Sequence, residues 1–142
     1  MPSITDLTFI ISAAASASTR TLRVGYTAVF SPIEQFLAGN GLQFEERIQI
    51  IGDDLGEATD QVLHALPPEL IAPPAGQATV ARIREITVSR SSLDEDPGST
   101  PVSPGSPLKL PNPDEVFARV ELAYVVLAPS TRADSAVREG TF

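Results

Sequence analysis

The segment RTLRVGYTAVFS, residues 20–31, carries the clearest secondary-structure signal of the chain. One phase of the segment is apolar and consists of Leu22, Val24, Tyr26, Ala28 and Phe30. The other phase begins with Thr21 and Arg23. Because successive side chains of a strand point to opposite faces, this alternation predicts a half-buried β-strand.

Three further segments alternate in the same way, namely residues 7–11, 79–90 and 115–127. Each is therefore predicted to be a strand. In residues 79–90 the apolar phase changes near Arg84 and Glu85, which predicts a β-bulge at that point.

The turn signal AGNGL, residues 38–42, follows the first of these strands. Asn and Gly tolerate the positive φ that tight hairpin turns require. We therefore expect a long hairpin over residues 20–51, closed near Asn40, with residues 42–51 as its return strand. Glu46 falls in the apolar phase of that strand, which predicts a bulge at Glu45–Glu46 or a solvent-facing stretch.

The segments between the strands carry weaker signals. Residues 33–38 either resume a strand or form one helical turn. A short helix is predicted at residues 57–66, because Ala58, Val62 and either Ala65 or Leu66 lie on one side and Pro67 follows. A long mobile loop is predicted at residues 91–113, which are rich in Pro, Ser and Gly.

The pattern as a whole predicts one domain over residues 1–128, followed by a polar, frayed C-terminal tail at 129–142. The predicted fold is all-β, an antiparallel β-sandwich of immunoglobulin-like or fibronectin-like architecture. That comparison is one of architecture only, since the chain has no Cys and no Trp. A length of 142 residues with 42% hydrophobic and 20% charged residues is typical of one globular domain.

Composition excludes several classes of function. Without cysteine the chain has no disulfide, no thiolate metal site and no Cys nucleophile. A formal charge of −8 argues against binding to nucleic acid or to anionic membranes, because both are polyanions. The apolar stretch from Leu7 to Ala17 is shorter than the ~20 residues of a membrane-spanning helix. It is also a poor signal peptide, since no basic residue precedes Arg20.

The sequence carries no catalytic motif, and we expect no enzyme. His64 is the single histidine and lies in no G-x-S-x-G context. Glu45 and Glu46 are adjacent, so a strand would point them to opposite faces. A small-molecule barrel or an enzyme with an unusual site stays open, because one sequence does not reveal pocket shape.

Two charged groups suggest binding sites. Acidic residues at predicted strand ends would suit calcium if the loops meet, and they are Asp53, Asp54, Asp94, Asp96 and Asp114. No other cofactor is expected. Arg82, Arg84 and Arg90 share one strand phase, and either pair with Glu45 or Glu46 or form a stripe that binds an anion or a partner.

Strands that are apolar on both faces predict a covered second face. Val29, Phe117 and Val125 are the candidate interface residues on this basis. The predicted function is a non-enzymatic structural or assembly subunit that contacts itself or another protein through β-sheet faces or edges. The alternative is a calcium-binding or ligand-binding sandwich module that uses its acidic strand-end loops.

Overall fold

The alternating segments form the strands of two antiparallel sheets that face each other. The computed structural model describes residues 1–13, 18–52, 61–93, 99–101, 109–111, 114–125 and 130–140. The first sheet has the order β1-β2-β6, with β1 at Ser3–Ala13, β2 at Thr19–Val29 and β6 at Thr79–Ser89. The predicted antiparallel β-sandwich is confirmed.

The second sheet is larger and has the order β10-β9-β3-β4, with β5 also paired to β3 and β11 to β9. Its strands are β3 at Phe44–Gly52, β4 at Gln61–Ala65, β5 at Glu69–Ile71, β9 at Asp114–Tyr124, β10 at Ser130–Asp134 and β11 at Arg138–Gly140. Two short strands, β7 at Ser99–Pro101 and β8 at Lys109–Pro111, form a separate ladder.

The core lies between the two sheets and takes the apolar phase of each strand. The first sheet contributes Phe9, Leu22, Val24, Tyr26 and Ala28, and the second contributes Phe44, Ile48, Ile50, Val116, Ala118, Val120 and Leu122. At one end of the sandwich, the Phe44 ring lies 5.0 Å from that of Phe30 and 5.1 Å from that of Tyr124. Aromatic pairs at such distances add ~0.5–1.5 kcal/mol each beyond burial.

The predicted hairpin over residues 20–51 is wrong. β2 pairs with β1 and β6, whereas β3 pairs with β4, β5 and β9, so the two segments belong to different sheets. Helix α1, at Pro32–Gly39, carries the chain from one sheet to the other. The Asn40–Gly41 turn ends this helix, and Gly41 has φ +100°. Positive φ is as useful after a helix as in a hairpin, so the same residues serve either purpose.

The two predicted bulges are also wrong. The β2–β6 register runs without a break from Thr19↔Ser89 to Val29↔Thr79. The β3–β9 register is unbroken along the whole of β3. The charged residues in the apolar phases therefore point into the space between the sheets.

The predicted helix at 57–66 is wrong over the residues that the structure describes. Residues 61–65 form strand β4, which pairs with β3, while residues 57–60 lie outside the described part. Pairing with the edge of β3 gives the backbone of residues 61–65 its hydrogen-bond partners, a non-local contact that outweighs the weak helical spacing of this segment.

The predicted loop and tail are partly ordered. Within 91–113 the described residues include a 3₁₀ turn at Arg90–Leu93 and the β7–β8 ladder. The predicted frayed tail is wrong for residues 130–140, because β10 and β11 both pair with β9. The edge of β9 supplies the hydrogen-bond partners that a polar segment lacks on its own. No helix of the described residues is long and apolar enough to span a membrane.

Candidate functional site

Five side chains meet between β2, β3, β5 and β6, and we call them the ion cluster: Tyr26, Glu46, Glu69, Arg82 and Arg84. Glu46 is fully buried at its centre. The Tyr26 hydroxyl and Arg84 Nη1 donate to opposite carboxylate oxygens of Glu46. Arg82 Nε donates to Glu46 Oε2 at 3.0 Å, and Arg82 Nη2 also donates to Glu69. Arg84 Nη2 lies 3.4 Å from Glu69 Oε1 and donates to the Pro67 carbonyl at 3.0 Å.

The electrostatics of the ion cluster favour the ionised states of Glu46 and Arg82. Burial alone would raise the pKa of Glu46, but hydrogen bonds from Arg82, Tyr26 and Arg84 outweigh burial and lower it below 4.5. Burial and the neighbouring Glu46 carboxylate raise the pKa of Tyr26, so its hydroxyl stays a donor. The hydrogen bond to Glu46 raises the pKa of Arg82.

The ion cluster therefore compensates its own charges, since two arginines meet two carboxylates. Of the two sequence interpretations, pairing with Glu46 is the one seen for Arg82 and Arg84, although it runs between the sheets and not along one solvated face. Arg90 is the third arginine of the same strand phase, and its backbone N–H donates to the Ser18 carbonyl at 2.8 Å. An anion would have to displace Glu69 to reach the two guanidinium groups.

The structure brings His64 against a serine, which the sequence did not predict. His64 Nε2 lies 2.7 Å from Ser92 Oγ, joining β4 to the 3₁₀ turn. The Ser92 hydroxyl, however, donates to the Ser89 carbonyl at 2.6 Å, so its proton points away from the imidazole. A general base must accept that proton, and among the described residues no carboxylate contacts His64 to orient it. The geometry is that of a structural contact.

The calcium prediction falls mostly outside the described residues. Asp53, Asp54, Asp94 and Asp96 lie there, and for Asp114 the structure gives only the backbone at the start of β9. Within the described ranges, no group of three or more acidic or histidine side chains is arranged to hold a metal. The calcium site stays a prediction.

The three predicted interface residues differ in exposure. Phe117 lies on the outer face of the second sheet and is buried within the single chain, with the Arg119 guanidinium 5.4 Å from its ring centroid. Val29 is half-buried, and Val125 is 48% exposed. Contact of these residues with a partner stays a prediction.

Helix α1 exposes its apolar face and buries its polar one. Ile33 and Phe36 are 67% and 68% exposed and Leu37 is 40% exposed, whereas Glu34 is only 2% exposed. Surface helices normally turn their apolar stripe toward the core. The orientation of α1 is thus the reverse of the usual one.

Polar contacts hold α1 in this orientation. Ser31 and Glu34 form a capping box in which the Glu34 N–H donates to Ser31 Oγ at 3.3 Å. Gln35 Nε2 donates to the Phe30 carbonyl at 3.1 Å. The pattern Ser31-Pro32-x-Glu34 is a helix-start signal, so the helix was detectable from sequence. The reversed orientation of the helix was not detectable from sequence, because it depends on the contacts that Glu34 and Gln35 make in the folded chain.

The surroundings of α1 are apolar as well. We define the α1 end as residues 30–43 and 72–78, which meet where the Phe30 N–H donates to the Ala78 carbonyl at 2.7 Å. Met1 lies beside it, with its nitrogen 3.6 Å from Glu34 Oε1. Leu70 in β5 and Val125 just after β9 lie on the same side, where the Val125 N–H donates to the Gln43 carbonyl at 3.3 Å, and both are exposed.

A second surface feature is an open cavity of about 300 Å³ at the opposite side of the sandwich. It is lined by Phe9, Ile10, Ile11, Arg138 and Glu139. Arg138 Nε donates to the Phe9 carbonyl at 3.1 Å, so part of the β1 edge is already occupied by the chain itself.

Comparison with known proteins finds no family model, no curated protein and no solved structure that matches this chain.

Proposed function

We propose that this protein is a non-enzymatic assembly subunit that binds another protein chain through its α1 end. The observation that carries the proposal is the outward apolar face of α1, formed by Ile33, Phe36 and Leu37. Exposed contiguous apolar surface costs solvation free energy in an isolated chain, and a partner that covers it recovers ~25 cal/mol per Å².

The edges of the first sheet are less suitable for such a contact. β1 has a register shift between Thr5 and Thr8, where Asp6 has φ 54°, and Arg138 occupies the Phe9 carbonyl. β6 carries the inward-pointing charges of Arg82 and Arg84. Bulges and inward charges are devices by which sheets resist pairing with foreign strands. This supports the α1 end over strand addition to the first sheet as the place of contact.

Site-specific photo-crosslinking tests the proposal. A benzophenone amino acid replaces Phe36 in one variant and Ile83 in a matched control, since Ile83 is 59% exposed on the outer face of the first sheet. In the cells of its source, the probe at position 36 should give a discrete cross-linked species that the probe at 83 does not give. Adding Ile33→Glu to the first variant should abolish that species.

The result that contradicts the proposal is equally definite. Equal cross-linking from positions 36 and 83, or no cross-linking from position 36, would mean that the α1 end is not a protein-binding surface.

A further inference from the structure

We infer that the chain bound at the α1 end is a second copy of this protein, related to the first by a two-fold axis. This inference rests on the proposed function, because it names the partner of the same surface. It follows from the distribution of charge and from the geometry of the helix.

The α1 end is almost free of charge. The chain as a whole has 28 charged residues among 142 and a formal charge of −8. Residues 30–43 and 72–78 contain only one ionisable side chain, Glu34, and it is buried. Gln35 in α1 and Asn40 at its C-cap carry polar side-chain groups near this surface, and both donate to backbone carbonyls.

An uncharged end favours self-association in an acidic protein. Two copies of this chain repel each other wherever their acidic surfaces approach, and the repulsion decays over ~8 Å at physiological ionic strength. Contact through the α1 ends brings together the parts of the two molecules that carry no exposed ionisable side chain, so the repulsion is smallest there. A basic partner, by contrast, would be drawn to the acidic surfaces and would gain nothing from an end without charge.

The helix also suits a two-fold contact. Ile33, Phe36 and Leu37 follow the i, i+3, i+4 spacing of one helix face. Eight residues give a helix of ~12 Å, so two such faces can cross at their centres and cover each other along their whole length. Because α1 is the one α-helix among the described residues, each copy offers one such face, and a two-fold contact between like faces closes at two copies.

Analytical ultracentrifugation of the purified full chain tests the inference. The wild type, Phe36→Glu and the control Ile83→Glu are compared from ~1 µM to ~1 mM, a range that spans ordinary dimer affinities. The weight-average mass of the wild type should rise from the 15.0 kDa of one chain toward twice that value. Ile83→Glu should follow the same curve, whereas Phe36→Glu should stay at the mass of one chain.

Circular dichroism and thermal melting check that each variant is folded. Phe36 and Ile33 are both exposed, so neither substitution removes core packing, and Ile33→Glu serves if Phe36→Glu fails to fold. A wild type that stays at the mass of one chain, assemblies larger than two copies, or equal loss in Ile83→Glu would each overturn the inference.

The outcomes separate the two proposals. A monomeric wild type whose position-36 probe still cross-links a different protein removes the second copy and keeps the assembly function. A monomeric wild type with no cross-link from position 36 removes both.

Discussion

Glu46 is a fully buried carboxylate between the two sheets. Moving an ionised group out of water costs several kcal/mol, and the cost is offset only when every lone pair meets a donor. Here one tyrosine and two arginines supply those donors. Because the ion cluster spans both sheets, it also fixes how β3 of one sheet lies against β6 of the other.

The first prediction concerns the charge of Glu46. Glu46→Gln keeps the size of the side chain but leaves Arg82 and Arg84 partly buried without their central counter-charge. We expect a loss of ~3 kcal/mol or more in the free energy of unfolding, as when one partner of a buried pair is removed. Urea denaturation followed by circular dichroism measures it.

The neighbouring residue is the matched control. Glu45 pairs with Arg47 in an exposed ion pair, so Glu45→Gln should cost less than ~1 kcal/mol. Similar losses in the two variants would show that the ion cluster contributes nothing beyond an ordinary surface pair.

The second prediction follows from the pKa of Glu46. Because the folded-state pKa lies below the ordinary 4.5, the unfolded chain takes up this proton at a higher pH than the folded chain. The stabilisation from Glu46 is therefore complete above about pH 4.5 and is lost as the pH falls through the folded-state pKa. Urea midpoints of the wild type and Glu46→Gln should differ by a constant amount above about pH 4.5 and converge as the pH is lowered below it. A difference that stays constant as the pH is lowered would contradict this assignment.

At the scale of the elements, β10 and β11 complete the second sheet. Their register places Ser130 to Asp134 and Arg138 to Gly140 against β9, and Ser135 Oγ accepts the Ala118 N–H at 2.7 Å. An interpretation of these residues as a loose tail predicts that they are dispensable. The observed pairing predicts the opposite.

The third prediction is that deleting residues 128–142 destabilises the domain. β9 would lose a whole row of backbone hydrogen bonds, and at ~0.5–1.5 kcal/mol each the loss is roughly 4 kcal/mol or more. Ser135→Ala removes the two hydrogen bonds of this hydroxyl, one accepted from the Ala118 N–H and one donated to the exposed Ala136 carbonyl, and should cost only ~1–2 kcal/mol. Urea denaturation of the wild type, the deletion variant and Ser135→Ala gives the order of their stabilities. A deletion variant with the same urea midpoint as the wild type would contradict the role of β10 and β11.

The elements differ in how far the sequence could predict them. β2, β6 and β9 were predictable because alternation is a local property of each segment. Their partners were not, since Asn40–Gly41 signals a turn equally well after α1 and in a hairpin. β4 was predicted as a helix because its pairing with the β3 edge is a non-local contact that no window of sequence contains.

The site was less predictable for the same reason. Glu46, Arg82 and Arg84 violated the apolar phase of their strands, and a bulge was the local explanation for each violation. The charge in β3 and the charges in β6 have one common explanation, because the two strands face each other across the core and Glu46 pairs there with both arginines. A charge in the apolar phase of two strands is thus a signal for a contact between them.

At the scale of the whole molecule, the exposed apolar face of α1 lies on an end of the domain that carries little charge. A chain with a formal charge of −8 concentrates its exposed apolar helix face on an end with no exposed ionisable side chain. In such an arrangement, repulsion between acidic surfaces opposes contact between two copies elsewhere but not at the α1 end. We therefore expect salt to strengthen the association of two copies and not to weaken it.

The fourth prediction is that NaCl strengthens the association of two copies. Raising it from ~0.1 M to ~1 M shortens the screening length from ~10 Å to ~3 Å, which removes repulsion between the acidic surfaces and leaves the apolar contact intact. The dissociation constant from sedimentation should fall several-fold, while Phe36→Glu stays monomeric at both concentrations. A dissociation constant that rises with NaCl would mean that opposite charges hold the copies together, and would place their contact away from the α1 end.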